Sequence, residues 1–419
     1  MLVDVFRSMP VCVRAEQVIE FNRLQEKGRL LDLLPLRRQR MGASPFAFFR
    51  GSAGLMAHDL RRQVDSGIQV QLCGDAHLMN FGFYASPERT LLFDINDFDE
   101  TAPGPFEWDL KRLSVSAVLA ARELGFDGEA QGLCVKSLAK RYRKSMAQYA
   151  EMNRLDVWYS RIRASEFIQE LDGAHFAAYL SKVAAKALNN DIGQIVRRLC
   201  VDGVDGLRFN SGVSNLQACA EDQWMPSIAD GYLETLRPEM KHLLSSFAER
   251  HRVLKVVGVG SVGRRCCLVL LQGDRPRDVM ILQVKEAVAS VLASLDSIPA
   301  QRPVHQGQRV VEGQRLMQSA SDPFLGWGLL RDGGHCYWRQ FRDWKGSVAL
   351  EKMDFCCLQT YVELCAHALA KSHARTGDCV AISQALQSTS HFPSRLARFA
   401  FDGADQVRLD FEAFLASGQ

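Results

Sequence analysis

Three carboxylates, Asp94, Asp97 and Asp99, crowd the end of a short apolar run, Leu91-Leu92-Phe93. Like charges this close repel one another and need a cation or hydrogen-bond donors among them. Any fold open to this chain must bring positive charge to that spot or leave it in water. Upstream, Asp75 and Asn80 stand five residues apart in Gly-Asp-Ala-His-Leu-Met-Asn; downstream, Phe-Glu-Trp-Asp-Leu closes the stretch at Asp109 and Leu110. A hard divalent ion such as magnesium takes oxygen ligands from one or two carboxylates and from phosphates. Asp97 is the first candidate for such a ligand and Asp94 the second, with Asn80 offering an amide oxygen. The bland alternative is a turn followed by a solvated acidic loop.

At 419 residues the chain is long enough for two or three lobes with substantial cores. A net charge of +3 without a dense Lys/Arg tract argues against a nucleic-acid partner, and Arg37–Arg40 reads as a helix surface. No apolar run approaches the roughly 18 residues of a membrane span, and the first residues, with Asp4 among them, do not read as a signal peptide. The 12 cysteines are scattered or adjacent and none forms a C-x-x-C pair, so neither a zinc site nor a disulfide framework follows. A reduced, cytoplasmic protein is expected, with no membrane contact and no evident obligate protein partner.

The aromatic run in Ser-Pro-Phe-Ala-Phe-Phe-Arg-Gly (44–51) reads as a core plug. Its Arg50 reaches either a phosphate, the acidic cluster or a structural ion-pair partner. A helix over 52–65 and a strand over 68–73 then deliver Asp75. Residues 111–250 show helical apolar spacing, with an irregular polar stretch at 209–224 that reads as a substrate-side loop. The pattern shifts near residue 252. A strand (254–257) leads into a G-x-G-x-x-G at Gly258, Gly260 and Gly263, with Ser261 inside it, and a second β-type segment (266–271) follows. A dinucleotide-binding turn would start a helix at its last glycine. Strand–glycine loop–strand is instead the kinase arrangement, whose backbone lies over the phosphates of ATP. A third strand (279–284) ends at Lys285, where that arrangement places its phosphate-binding amine. Glu312, on a helix over 309–320, is the candidate partner for Lys285; Glu286 is disfavoured because adjacent strand residues point to opposite faces. A hairpin around 332–334, a passage past the adenine at 340–346, a long helix over 358–373 and a tail (380–419) with a further short helix complete the chain.

Asp75 and Asn80 have the spacing of a kinase catalytic loop, in which the Asp accepts the proton of the attacking hydroxyl and the Asn holds magnesium. Gly-Asp-x-His-x-x-Asn, a strand, Asp-Phe and Trp-Asp-Leu together resemble the catalytic and metal-binding segment of aminoglycoside phosphotransferases and choline kinases. His77 then braces the loop, and Asp109 bonds its backbone. The order of the pieces is reversed, since the catalytic stretch precedes the glycine loop and Lys285. One chain builds one site in that order if the fold is circularly permuted. The motifs Ser-Pro-Phe-Ala-Phe-Phe-Arg-Gly, Gly-Asp-Ala-His-x-x-Asn-Phe-Gly, Asn-Asp-Phe-Asp-Glu-Thr, Phe-Glu-Trp-Asp-Leu-Lys-Arg-Leu, Val-Gly-Ser-Val-Gly and Leu-Gln-Val-Lys-Glu-Ala resemble the bacterial family catalogued as domain of unknown function 2252.

The expected fold is α+β, a protein-kinase-like two-lobed fold that is circularly permuted. Residues 1–250 form a mainly helical catalytic and metal-binding lobe, 251–346 a β-rich nucleotide-binding lobe, and 347–419 helices returning to the first. The resemblance implies an ATP- and Mg2+-dependent phosphotransferase acting on a hydroxyl of a small acceptor. Asp75, Asn80 and Lys285 would be catalytic, and Gly258, Gly260, Ser261, Gly263, Lys285 and Glu312 would serve the nucleotide. Asn80, Asp97 and Asp94 would serve the metal. Nucleotidyl transfer, protein modification and a catalytically inactive nucleotide-binding protein stay open as alternatives.

Overall fold

The computed structural model describes residues 5–418, apart from 9, 170, 172–173, 204–205, 219–223, 226, 229–230, 277, 294–304 and 342–343. Part of the expected substrate-side loop (209–224) and part of the expected adenine passage (340–346) lie outside the described residues. The chain has a mixed α+β architecture, in which a six-stranded antiparallel sheet stands against a larger helical body. From edge to edge the strands run Gly326–Leu329, His335–Gln340, Val279–Glu286, Cys266–Gln272, Ala248–Lys255 and Leu216–Gln217.

Period-two alternation assigns the faces of this sheet. In Val279–Glu286, Leu282 and Val284 join an apolar cluster with Trp338 and Cys336, while Gln283 and Lys285 point the other way. Cα register pairs Lys285 with Tyr337 and Gln283 with Arg339, so four polar side chains share that second face. The strand Ala248–Lys255 begins before the apolar pattern does. Its first residues are exposed, and ladder hydrogen bonds to Cys266–Gln272 hold them in place of burial. Leu216–Gln217 joins the same sheet from within the stretch read as an irregular polar loop.

In the helical body, Glu107–Glu123, Gly128–Ala150, Phe355–Thr376 and Phe392–Ala416 pack around one large core. The last of these runs for 25 residues where the sequence reads only a short helix in a tail. Its buried face includes Gln406 and Asp410 beside Phe399 and Phe414, and these polar residues break the apolar pattern. Their partners come from the other end of the chain: Gln406 bonds the backbone of Cys12, and Arg14 clasps Asp410. Among the described residues no helix is long and apolar enough to cross a membrane.

Asp94 ends up inside this body. It lies on Leu91–Ile95, which pairs with Phe81–Ala85, and its carboxylate meets the amine of Lys371 from Phe355–Thr376. Both side chains are fully buried, and Ser319 adds hydrogen bonds to Asp94 through its backbone N and its hydroxyl, each at 3.2 Å. Removing one member of a dry ion pair strands the other charge. Lys371→Met is therefore expected to lower the unfolding free energy by about 3–5 kcal/mol, measured by urea denaturation; an unchanged midpoint would show that the pair does not hold the body together.

Candidate active site

The turn carrying Asp75 is fixed by its backbone. Gly74 has φ +82°, and a Cβ there would lie 2.2 Å from the Glu100 carbonyl oxygen, so only glycine fits. Asp109, in the first turn of Glu107–Glu123, accepts the amides of Cys73 at 2.7 Å and Gly74 at 3.0 Å. Three residues along the same helix face, Arg112 holds Oδ1 of Asp75 through Nε and Nη2, each at 2.6 Å. That leaves Oδ2 of Asp75, with Nε2 of His77 at 3.6 Å. Burial pushes the Asp75 carboxyl up, opposed by Arg112. His77 is buried, its edge against Phe46 and its Nδ1 without a partner, and burial pushes its imidazole down toward the neutral form. Asn80 donates Nδ2 to the Asp75 carbonyl at 2.8 Å, which leaves its Oδ1 for a cation.

The three clustered carboxylates meet three different fates. Asp94, expected as a metal ligand, is instead sealed by Lys371 and does not line the cavity. Asp99 takes the Lys285 amine at 2.5 Å, the Tyr337 hydroxyl at 2.6 Å and the Ser261 hydroxyl at 3.3 Å. Burial alone would raise the Asp99 carboxyl, but Lys285 and Tyr337 outweigh it and draw it down to about 2. Burial would lower the Lys285 amine, but Asp99, Tyr337 and Asp97 together outweigh it and hold it well above the usual amine range. Among the described residues Asp97 accepts only the Asp99 amide, at 3.2 Å, and burial followed by repulsion from Asp99 pushes its carboxyl up. A divalent cation at Asp97 and Asn80 would relieve that repulsion with one carboxylate and one amide oxygen, leaving its other positions to phosphate and water.

Glu312 does not reach Lys285. On Gln306–Met317 the cavity side carries Val310 and Gln314, and Glu312, midway between them in sequence, points outward and accepts from Gln308 at 2.7 Å. Glu286 pairs with Arg265 instead. Gly258, Gly260 and Ser261 border the cavity, whereas Gly263 does not. Its φ of +84° turns the chain beneath Arg29, where a Cβ would lie 3.1 Å from that side chain.

These groups surround one cavity of about 1130 Å³ between sheet and body. Asp75, Asn80 and Asp97 approach from the body, and Lys285, Gln283 and Arg339 from the sheet. Cationic side chains outnumber carboxylates in its lining, which suits an anionic ligand. Arg112, Asp99, Tyr337 and Arg339 carry site chemistry that the sequence reading leaves unassigned. Arg112 had a signal, since it lies one helical turn past Asp109. Tyr337 and Arg339 needed the strand register.

Residues 29–417 match the model of a family described as an uncharacterized protein conserved in bacteria, domain of unknown function 2252. The chain belongs to this family. No curated protein and no solved structure matches it. Membership in domain of unknown function 2252 carries no reaction with it, so the chemistry rests on the cavity.

Asp99 supplies a test of that charge arrangement. Its carboxyl lies below its ordinary value near 3.8, so its stabilisation is present above that pH and is lost as pH falls toward about 2. Asp99→Asn should cost on the order of 2 kcal/mol at pH 7, and the gap to the unsubstituted protein should narrow in acid. Denaturation curves at both pH values measure it, and equal stability at pH 7 would refute the pairing.

Proposed function

We propose that this chain is an ATP- and magnesium-dependent phosphotransferase acting on the hydroxyl of a small acceptor, on a circularly permuted kinase-like fold. One observation carries the reading. Asp75, Asn80 and Asp97 share a single cavity with Gly258, Gly260, Ser261 and Lys285, although roughly 180 residues and the reverse chain order separate the two sets. The glycine loop joins the first two long strands, the lysine sits on the third, and a helix follows it, as in kinases. The cavity exceeds the few hundred to about 1000 Å³ of a single-ligand pocket, leaving room for nucleotide and acceptor together.

In this reading Oδ2 of Asp75 receives the acceptor's proton. The acceptor oxygen forms a bond to the γ-phosphorus as the bond from that phosphorus to the β-bridging oxygen breaks, and ADP leaves with the electron pair. Arg112 keeps Asp75 oriented and opposes the burial that pushes its carboxyl up. Lys285 and the glycine-loop amides neutralise phosphate charge, and Lys285 exchanges part of its contact with Asp99 for the nucleotide. Bound magnesium would supply further charge neutralisation at Asn80 and Asp97. Little covalent work falls to the protein in such a transfer, so positioning and electrostatics supply the rate.

Calorimetric titration of ATP with and without magnesium tests the reading. Binding should require magnesium and weaken at least tenfold in Lys285→Ala, about the 1.4 kcal/mol or more of one charged contact. Asp75→Ala should retain ATP affinity and abolish turnover on any acceptor found. Absence of ATP binding at millimolar concentration would refute the proposal.

A further inference from the structure

The short helix Pro45–Gly51 bridges the two halves of this cavity, and the mechanism above assigns it nothing. Ser44 caps it by accepting from Ala47 at 3.1 Å, and Phe46, Phe48 and Phe49 are buried beneath it. Arg112 donates to the Phe49 carbonyl at 2.9 Å, and Arg37 donates to that of Gly51 at 3.0 Å. The carbonyl of Arg50 lies 3.1 Å from where a Cβ on Gly260 would stand, so the helix touches the tip of the glycine loop. Backbone and flanking residues are thus pinned, which leaves Arg50 little freedom to seek a partner elsewhere.

The Arg50 side chain borders the cavity together with Asp75 and Asp97. Among the described residues its Nε is buried without a hydrogen-bond partner, and the Phe46 ring at 6.0 Å is its stacking neighbour. Burial pushes the guanidinium down, and Asp75, Glu123 and Asp97 oppose this only by charge, without a hydrogen bond. A desolvated guanidinium with no counter-charge in contact is costly to keep. Arg37 also has unpaired nitrogens, so a vacant donor alone decides nothing, but Arg37 lies outside the cavity lining. Arg50 combines a vacant donor with a position between the proposed base, the proposed metal ligand and the glycine loop.

We infer that the Arg50 guanidinium binds the phosphoryl group in transfer, as an arginine finger supplied from the N-terminal segment of the same chain. The inference rests on the phosphotransferase reading. Charge in such a transfer spreads over the equatorial phosphoryl oxygens, and a planar guanidinium presents paired donors to two of them at once. Arg50 donates hydrogen bonds only; the proton passes to Asp75 and the electron pair leaves with ADP, as written above. A fully charged donor that strengthens its bonds in the transition state acts on turnover more than on nucleotide affinity.

Calorimetry on the full chain with magnesium ADP, with and without aluminium fluoride as a mimic of the phosphoryl group, tests this alongside thermal unfolding. The unsubstituted protein is expected to bind magnesium ADP about 100-fold or more tightly when aluminium fluoride is present. Arg50→Ala should keep the affinity for magnesium ADP alone, lose that gain, and melt no lower than the parent. Arg50→Lys should restore part of the gain. A gain retained in Arg50→Ala, or no gain in a parent that binds magnesium ADP, overturns the role of Arg50 and leaves the phosphotransferase reading standing. A lowered melting temperature with magnesium ADP affinity also lost marks Arg50 as structural and overturns it too. A parent that binds no magnesium ADP brings down both.

Discussion

The contact between Lys285 and Asp99 ties the sheet to the body and sets the charge pattern of everything around it. The two residues lie 186 positions apart, yet Lys285 Nζ and Asp99 Oδ2 meet at 2.5 Å. Tyr337, Ser261 and, through the Asp99 carbonyl, Arg309 converge on the same residue. The glycine loop, two central strands and the helix Gln306–Met317 are thereby registered against the acidic stretch. Lys285 and Tyr337 draw the Asp99 carboxyl down against burial, while burial and then repulsion from Asp99 push the Asp97 carboxyl up.

The helix Phe355–Thr376 explains how a late segment of the chain serves an early one. Lys371 closes on Asp94, His373 Nε2 stands 3.5 Å from Asp109, and the Tyr361 hydroxyl donates to the Leu78 carbonyl at 2.8 Å. Each contact braces a different part of the stretch from 72 to 110, from behind and away from the cavity. Packing geometry, not chain order, determines which side chains meet. That residues 72–110 precede the glycine loop in sequence is therefore no obstacle to a shared cavity.

What was legible in the sequence follows the range of the forces involved. The order strand, glycine loop, strand, strand singled out Lys285, and the spacings around Asp75, Asn80 and Asp109 described a turn whose constraints are local. Gly74, jammed against Glu100, belongs to the same class. The partner of Lys285 was not legible. Glu312, Glu286 and Asp99 are all acids within reach of some arrangement, and the choice among them depends on which face of Gln306–Met317 is buried. The length of Phe392–Ala416 was hidden for a related reason, since Gln406 and Asp410 look like surface residues until Cys12 and Arg14 are placed beside them.

The acidic cluster marks the limit of reading charge from spacing alone. Asp94, Asp97 and Asp99 look alike as a string, and repulsion among them demanded positive charge without saying where. The fold answers with Lys371 for the first and Lys285 for the third, while Asp97 accepts a backbone amide and feels Lys285 and Arg339 only at a distance. A purely structural cluster would gain by closing a cation on each member, as Asp94 does. Asp97 instead faces a cavity shared with Asn80, Arg50 and the glycine loop, so a carboxylate and a guanidinium that make no ion-pair contact among the described residues border the same space. A ligand between these opposite charges would meet both, and in the proposed transfer a metal-bound phosphate has the charges to do so.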